Sequence, residues 1–211
     1  PEEYFRVVKE ILDDHGILFI ADEVQSGFGR TGKMFAIEHY GVEPDIMTLG
    51  KAIAGGLPLS ACIARVDVGD AFEPGDHLAT FGGNPLSCAA ALANLEVFRE
   101  ERLPEQAAEK GEYLQKRLNE LREGHELIGD VRGKGLMVGV ELVKDRKTKE
   151  PAVNEVYKLK EEARNHGILV GSGGVKRCTI RFQPPLVITR EQLDQALDVV
   201  DEVLSKIERG I

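Results

Sequence analysis

The chain has 211 residues, enough for one large or two small domains. Its formal net charge is −9, and its lysines and arginines alternate with acids, which argues against nucleic-acid binding. No segment approaches the run of about 20 apolar residues that a membrane helix needs. We therefore expect neither nucleic acid nor a membrane among its partners.

The cysteines and histidines point away from disulfides and metal. Cys62, Cys88 and Cys178 are far apart and form no C-x-x-C pair, which argues against a disulfide framework and a zinc site. None of the five histidines forms an H-x-x-x-H pair. We expect no metal and a reducing, cytoplasmic location.

The first part of the chain predicts an α/β arrangement. Apolar residues at helical spacing in 4–12 predict a helix that stops at His15-Gly16. The short apolar run 17–21 predicts a strand buried on both faces. A short helix at 35–40 and a strand at 45–49 would complete a right-handed βαβ unit, whose parallel strands end side by side. A third strand is predicted at 59–64.

The second part predicts a separate α+β domain. We place the boundary near Pro104, which gives domains 1–104 and 105–211. Thr189 and Gln192 stand at capping-box spacing at the start of the last helix. The elements predicted after the third strand are helices at 85–99, 104–121, 154–165 and 189–207, and strands at 136–142, 168–170 and 179–182.

Two nucleotide-binding patterns in this chain are weak. Gly27 to Gly32 fits G-x-G-x-x-G, with Asp45 at about the expected distance, and would indicate a nicotinamide-dependent oxidoreductase. However, Asp22 and Glu23 lie between the strand and the first glycine, where they would repel a pyrophosphate. A phosphate-loop interpretation requires Ser or Thr where the chain has Met34.

Asp22 and Lys51 follow the two strands that we expect to be parallel. From position alone, an ordinary ion pair is at least as probable an explanation as catalysis. The small, apolar surroundings of Lys51 in residues 48–56 favour catalysis, because an imine-forming lysine must lose its proton. A pyridine cofactor works as an electron sink while a carboxylate such as Asp22 keeps its ring nitrogen protonated.

These segments resemble class III pyridoxal 5′-phosphate-dependent aminotransferases of the 4-aminobutyrate or ω-amino acid type. The first three matching segments keep both residue types and gaps over some forty positions, and the likeness covers essentially the whole chain. The matching segments are 18–32, 44–46, 50–58, 77–85, 129–135 and 181–186.

The resemblance implies roles for five residues. Lys51 would be the imine lysine and proton carrier, Asp22 would pair with the pyridinium nitrogen, and Gln25 would hydrogen-bond the ring's 3-oxygen. Thr80 would bind the cofactor phosphate of the neighbouring subunit, which implies a homodimer. Arg181 would hold a substrate carboxylate in a bidentate way. Read alone, Thr80 could be a turn residue, Gln25 a loop residue and Arg181 a surface residue.

The resemblance further implies the fold of the fold type I PLP transferases: the second half of a mostly parallel large domain, followed by a small α+β domain. Family members are about twice this length, so the chain looks like a C-terminal fragment, and we expect it to be inactive alone.

For the intact protein the resemblance implies ping-pong transamination between an ω-amino acid and a 2-oxo acid. An alanine–glyoxylate or ornithine/acetylornithine type, or an amino-acid racemase using the same Lys51, remains an alternative. Outside this class remain the oxidoreductase and a non-catalytic interaction protein. Intact Asp22, Gln25, Lys51 and Arg181 argue against the latter.

Overall fold

The computed structural model describes residues 1–210, which form two compact units that divide between Glu105 and Gln106. The boundary that we predict near Pro104 lies beside this division. Of the helices in residues 1–210, none combines the length and apolar character needed to cross a bilayer.

The first unit is built on a small mixed sheet. Strands β1 and β2 are parallel, whereas β3 runs antiparallel to β2. Its elements are helices α1 (Tyr4–Asp14), α2 (Val66–Gly69) and α3 (Pro85–Glu100), strands β1 (Ile20–Asp22), β2 (Ile46–Leu49) and β3 (Ala61–Ala64), and 3₁₀ helices at Ala36–Tyr40 and Lys51–Ala54.

The parallel pairing of β1 and β2 confirms the predicted arrangement, but the predicted burial of the first strand is wrong. Ile17, Leu18 and Ile20 are about half exposed, and only Ala21 is buried. The strand is also shorter than predicted and begins at Ile20. The reason is that β1 is the edge of the sheet in residues 1–210, so no strand pairs with its outer side.

A buried carboxylate just before β2 links the residue before β1 to the residue after β3. Asp45 accepts a hydrogen bond from the Phe19 backbone N–H at 2.7 Å. It also pairs with Arg65 at 2.7 Å and with Lys9 at 3.6 Å. The Phe19 hydrogen bond and these two cations hold the pKa of Asp45 below its ordinary value. Asp45, which lies at about the distance that the dinucleotide pattern expects, is therefore a structural residue.

The second unit is an antiparallel sheet covered by helices. Its sheet order is β4-β5-β8-β7, with β6 pairing β5. Its elements are α4 (Leu103–Gly124, which begins in the first unit), β4 (Ile128–Lys134), β5 (Met137–Asp145), β6 (Glu150–Pro151), α5 (Val153–Asn165), β7 (Gly171–Gly173), β8 (Thr179–Phe182) and α6 (Arg190–Glu208).

Strand β8 lies where predicted, and the capping box of α6 is confirmed, with the Thr189 side chain accepting from the Gln192 N–H. The strand predicted at 168–170 is wrong, because the strand lies at Gly171–Gly173. Strand β4 was not predicted. Its Gly133 suggests a turn, but a Cβ there would lie 2.3 Å from the Met137 carbonyl oxygen, so the hairpin requires glycine.

The second unit contains the hydrophobic core of the chain. Leu114 and Leu118 of α4, Val140 of β5 and Leu197 of α6 are almost fully buried in it. Burial of each large apolar side chain stabilises the fold by about 1.5–3 kcal/mol. Packing in this core therefore holds the helices of the second unit against its sheet.

A buried histidine fastens the turn after α4 to helix α6. The two ring nitrogens of His125 lie 2.8 Å from Glu208 and 2.6 Å from Asp201. Carboxylates only accept, so both contacts are hydrogen bonds when the ring carries both protons. Burial lowers the pKa of His125, but hydrogen bonds to Glu208 and Asp201 outweigh it and raise the pKa above the ordinary value.

We predict that His125→Asn lowers the free energy of unfolding by about 1–3 kcal/mol near pH 6. Because the pKa of His125 is raised in the folded state, its contribution to stability is fully present below its unfolded-state pKa. That contribution is lost as the pH rises through the folded-state pKa. The deficit should therefore shrink at alkaline pH. Urea unfolding at the two pH values measures it, with the exposed His166→Asn as control. An equal deficit at both pH values would contradict the prediction.

Candidate functional site

Asp22 is the last residue of β1, and its side chain is exposed at the carboxyl end of the sheet. One carboxylate oxygen accepts from the Val24 backbone N–H at 3.0 Å and from the Thr48 hydroxyl at 3.1 Å. Thr48 is also the direct strand partner of Asp22. These two bonds fix the orientation of the Asp22 carboxylate at this end of the sheet.

Lys51 follows β2 and begins the 3₁₀ helix Lys51–Ala54. Its side chain is exposed, and its backbone is left-handed, with φ of 47°. Such a conformation costs a non-glycine residue on the order of 1–3 kcal/mol and is concentrated at functional sites. Phe28, Arg102, Lys149 and Arg177 also have positive φ, so the strain at Lys51 accords with a functional role but does not single this residue out.

Parallel pairing brings Asp22 and Lys51 to the same edge of the sheet. Lys51 lies three residues beyond Thr48, the partner of Asp22. No ion pair joins the two side chains within the part of the chain that the structure describes, because the Asp22 oxygen binds Val24 and Thr48 instead. The ion-pair explanation of these residues is therefore disfavoured.

Gln25 is exposed in a loop that a buried glutamate shapes. The Glu23 carboxylate accepts from the Ile37 N–H at 2.8 Å and from the Ser26 hydroxyl at 2.5 Å. The Glu23 carbonyl accepts from the Gly27 N–H at 2.9 Å. These contacts give Glu23 a structural role and place Gln25 directly after the carboxyl end of β1.

The glycine pattern that suggested a dinucleotide site has the wrong local structure. Gly29 and Gly32 have φ of 79° and 91°, so they serve tight turns. The segment then continues into the five-residue 3₁₀ helix Ala36–Tyr40, not an α-helix. It therefore lacks the α-helix N-terminus on which the dinucleotide interpretation depends.

Thr80 lies in an exposed turn before α3. The turn is closed by hydrogen bonds from the Gly82 N–H to the Ala79 carbonyl at 3.1 Å and from the Asn84 N–H to the Phe81 carbonyl at 3.3 Å. The pairing of β1 with β2 does not itself bring Thr80 to Asp22 or Lys51. An accessible side chain is what contact with a second subunit would require.

Arg181 belongs to the second unit, on β8, and its exposed side chain lies over the glycines of β7. A Cβ on Gly173 would lie 3.2 Å from the Arg181 Cδ and 3.3 Å from its Nε, and one on Gly171 would lie 3.5 Å from Nε. Glycine at these positions thus gives the Arg181 stem room to lie against the strand.

Arg132, for which a structural ion pair is a sufficient explanation, is neutralised by its neighbours. Its guanidinium lies 2.6 Å from Asp130 and 2.8 Å from Glu141, and these contacts raise its pKa. A guanidinium already shared between two carboxylates is poorly suited to hold a substrate anion. The structural ion-pair explanation is therefore favoured.

Sequence reasoning missed two residues next to the site. Thr48 is detectable only once the strand register is known, because it lies opposite Asp22. Asn94 donates to the carbonyl of Ala52, next to Lys51, at 2.6 Å, although 42 residues separate them. In the sequence, the signal for Asn94 was its helical spacing from the apolar residues Ala91 and Phe98 of α3.

The residues at this edge suit a pyridoxal phosphate ring. Asp22 offers a carboxylate and Lys51 an accessible amine at the carboxyl ends of neighbouring parallel strands. Gly50 between them is buried, and a Cβ there would lie 3.3 Å from Val24 Cγ1. No group of three His, Cys, Asp or Glu side chains in residues 1–210 could hold a metal ion.

Comparison with known proteins identifies relatives that match nearly the whole chain. The leucine/methionine racemase of Thermococcus litoralis is 50% identical over 210 residues, which are 100% of this chain and 47% of the racemase. The acetylornithine aminotransferase of Caldanaerobacter subterraneus is 46% identical, over 97% of this chain and 49% of that protein. The chain thus spans about half the length of these relatives.

A solved structure of a Bacillus anthracis aminotransferase is similar with a TM-score of 0.93 at 38% identity, over 98% of this chain and 48% of that one. The structure therefore has the fold of the fold type I PLP-dependent transaminases. The family model for class III aminotransferases, which depend on pyridoxal phosphate, matches residues 1–204. The chain belongs to the class III aminotransferase family.

Proposed function

We propose that the intact protein catalyses pyridoxal phosphate-dependent transamination of an ω-amino acid, of the 4-aminobutyrate type, with a 2-oxo acid as acceptor. The observation that carries the proposal is the shared edge of β1 and β2, which presents Asp22 and the strained Lys51. Bound pyridoxal phosphate supplies an electron sink for charge that develops on the substrate carbon.

In this proposal each residue at the edge has one task. Lys51 holds the cofactor through its amine and then carries a proton between two carbon atoms of the reacting system. Asp22, oriented by Thr48 and Val24, keeps a proton on the ring nitrogen. Gln25 donates to the ring's 3-oxygen, and Thr80 binds the phosphate of the neighbouring subunit in a homodimer.

Arg181 is proposed to hold the substrate carboxylate. Its planar guanidinium can form two parallel hydrogen bonds to that group. The glycines of β7 leave its stem room to lie along the strand.

Racemisation or epimerisation of an amino acid is the second candidate function. It is favoured by the racemase relative, which is 50% identical to this chain. It would use the same Lys51 to remove and return a proton without losing the amino group. Transfer of a ¹⁵N-labelled amino group to a 2-oxo acid supports transamination, whereas loss of chirality with retention of ¹⁵N supports racemisation.

The chain by itself is proposed to be inactive. Of the twenty exposed large apolar side chains in residues 1–210, sixteen lie in the first unit, among them Ile17, Leu18 and Ile20 around β1. An uncovered edge strand with apolar neighbours is typical of a sheet that more chain should extend.

The cysteines in the described residues are free thiols, which supports the proposed cytoplasmic location.

We predict that borohydride reduction of the intact protein with pyridoxal phosphate labels Lys51 and that Lys51→Ala abolishes the label. Only a lysine that forms an imine with the cofactor is trapped in this way. Peptide mass mapping identifies the modified residue. Lys33→Ala, which changes an exposed lysine outside the edge, is the control and should keep the label. A label on any residue other than Lys51 would refute the assignment.

We predict that Arg181→Ala raises KM for carboxylate-bearing donors by about 10- to 100-fold, because a charge-assisted pair is lost. Gly173→Ala should raise it less, since the new Cβ displaces the Arg181 stem without removing its charge. Steady-state kinetics with a carboxylate donor and a carboxylate-free amine measure both effects. The amine should be nearly unaffected, and equal losses with both donors would refute this role for Arg181.

A further inference from the structure

Helix α3 packs against the turn that carries Lys51. Three residues of its packed face, Ser87, Ala91 and Phe98, are buried, and their spacing of four and seven residues matches one side of a helix. Asn94 stands between Ala91 and Phe98 on the same side and is half-buried. A polar amide at that position needs a hydrogen-bonding partner.

The partners of Asn94 are backbone carbonyls directly after Lys51. The amide nitrogen donates to the Ala52 carbonyl at 2.6 Å and approaches the Ile53 carbonyl at 3.4 Å. The amide oxygen lies 3.6 Å from where a Cβ on Gly55 would stand. Asn94 therefore contacts the two middle residues of the four-residue 3₁₀ helix.

This helix needs an external donor because it is so short. It has four residues, and its internal bonds run from the Ile53 N–H to the Gly50 carbonyl at 3.2 Å and from the Gly55 N–H to the Ala52 carbonyl at 3.4 Å. The second bond is long for an N–H donor. Asn94 gives the Ala52 carbonyl a shorter bond than the helix itself provides.

The conformation of this helix decides where the Lys51 amine can reach. Lys51 is the first residue of the helix and is left-handed. Strained conformations persist only where the surroundings enforce them. On one side the buried Gly50 lies against Val24, and on the other Asn94 holds Ala52.

We propose that Asn94 is a positioning residue for Lys51: its amide holds the strained turn in the conformation that presents the lysine amine to the cofactor. This inference rests on the proposed function, in which Lys51 bears the cofactor. Asn94 acts only through the backbone of Ala52 and Ile53.

The test compares two variants of nearly equal shape in the intact, cofactor-loaded protein. Asn94→Leu removes the donor, and Asn94→Asp places an acceptor against the carbonyls. Phe98→Leu is the matched control, because it weakens the packing of the same helix, where the Phe98 ring lies 6.2 Å from that of Phe28. The readouts are amide hydrogen exchange in residues 51–55, the pH midpoint of cofactor absorption, and the separate values of kcat and KM.

We expect both Asn94 variants to speed exchange in residues 51–55 by about fivefold or more, the factor that one lost hydrogen bond represents. The absorption midpoint should move by at least about 0.5 pH unit. A misplaced Lys51 should lower kcat about tenfold with a change in KM below about twofold. Phe98→Leu should lower thermal stability while leaving these readouts near the wild-type values.

Two results would overturn the inference. One is wild-type behaviour of both Asn94 variants, and the other is an equal shift in Phe98→Leu, which would mean that α3 packing alone matters. The borohydride label separates this failure from failure of the proposed function. If Lys51→Ala loses the label and the Asn94 variants behave like the wild type, only the positioning role is refuted. If the label survives in Lys51→Ala, the proposed function on which the positioning role rests is refuted.

Discussion

The parallel pairing of β1 with β2 is the constraint on which the candidate site depends. Because parallel strands end at the same edge of a sheet, a residue at the end of β1 and a residue after β2 lie near each other. The register pairs Asp22 with Thr48, and Lys51 follows shortly afterwards. The buried Asp45 supports this arrangement, because it binds Phe19 before β1 and Arg65 after β3. Displacing the register by one residue would turn Asp22 to the opposite face of the sheet.

Around this edge, Glu23 and Asn94 form hydrogen bonds to the backbone of neighbouring turns. Glu23 closes the loop that displays Gln25, and Asn94 holds the turn that displays Lys51. Both use carbonyls or amide groups that short turns leave without helical partners.

Much of the fold could be predicted because its signals are local. Helix α6 has its capping box, and β8 has its compact run of residues. The burial of β1 was mispredicted because the apolar run 17–21 is suited to neighbours that residues 1–210 do not include. The role of Asn94 could not be predicted, since it depends on a contact across 42 positions. The shared edge of Asp22 and Lys51 was detectable because their strands are adjacent in sequence. The roles of Gln25, Thr80 and Arg181 came from the resemblance alone, and the roles of all five residues stay predictions.

The junction between α3 and α4 has a practical consequence for dissecting the protein. Only Glu101 and Arg102 separate the two helices, and Arg102 is left-handed, with φ of 51°. Leu103, the first residue of α4, is 5% exposed. A cut placed at Gln106, where the compact units divide, would open helix α4 within its first turn. Limited proteolysis or domain exchange is better directed to the peptide before Leu103, where an exposed turn can be severed without breaking a helical hydrogen bond.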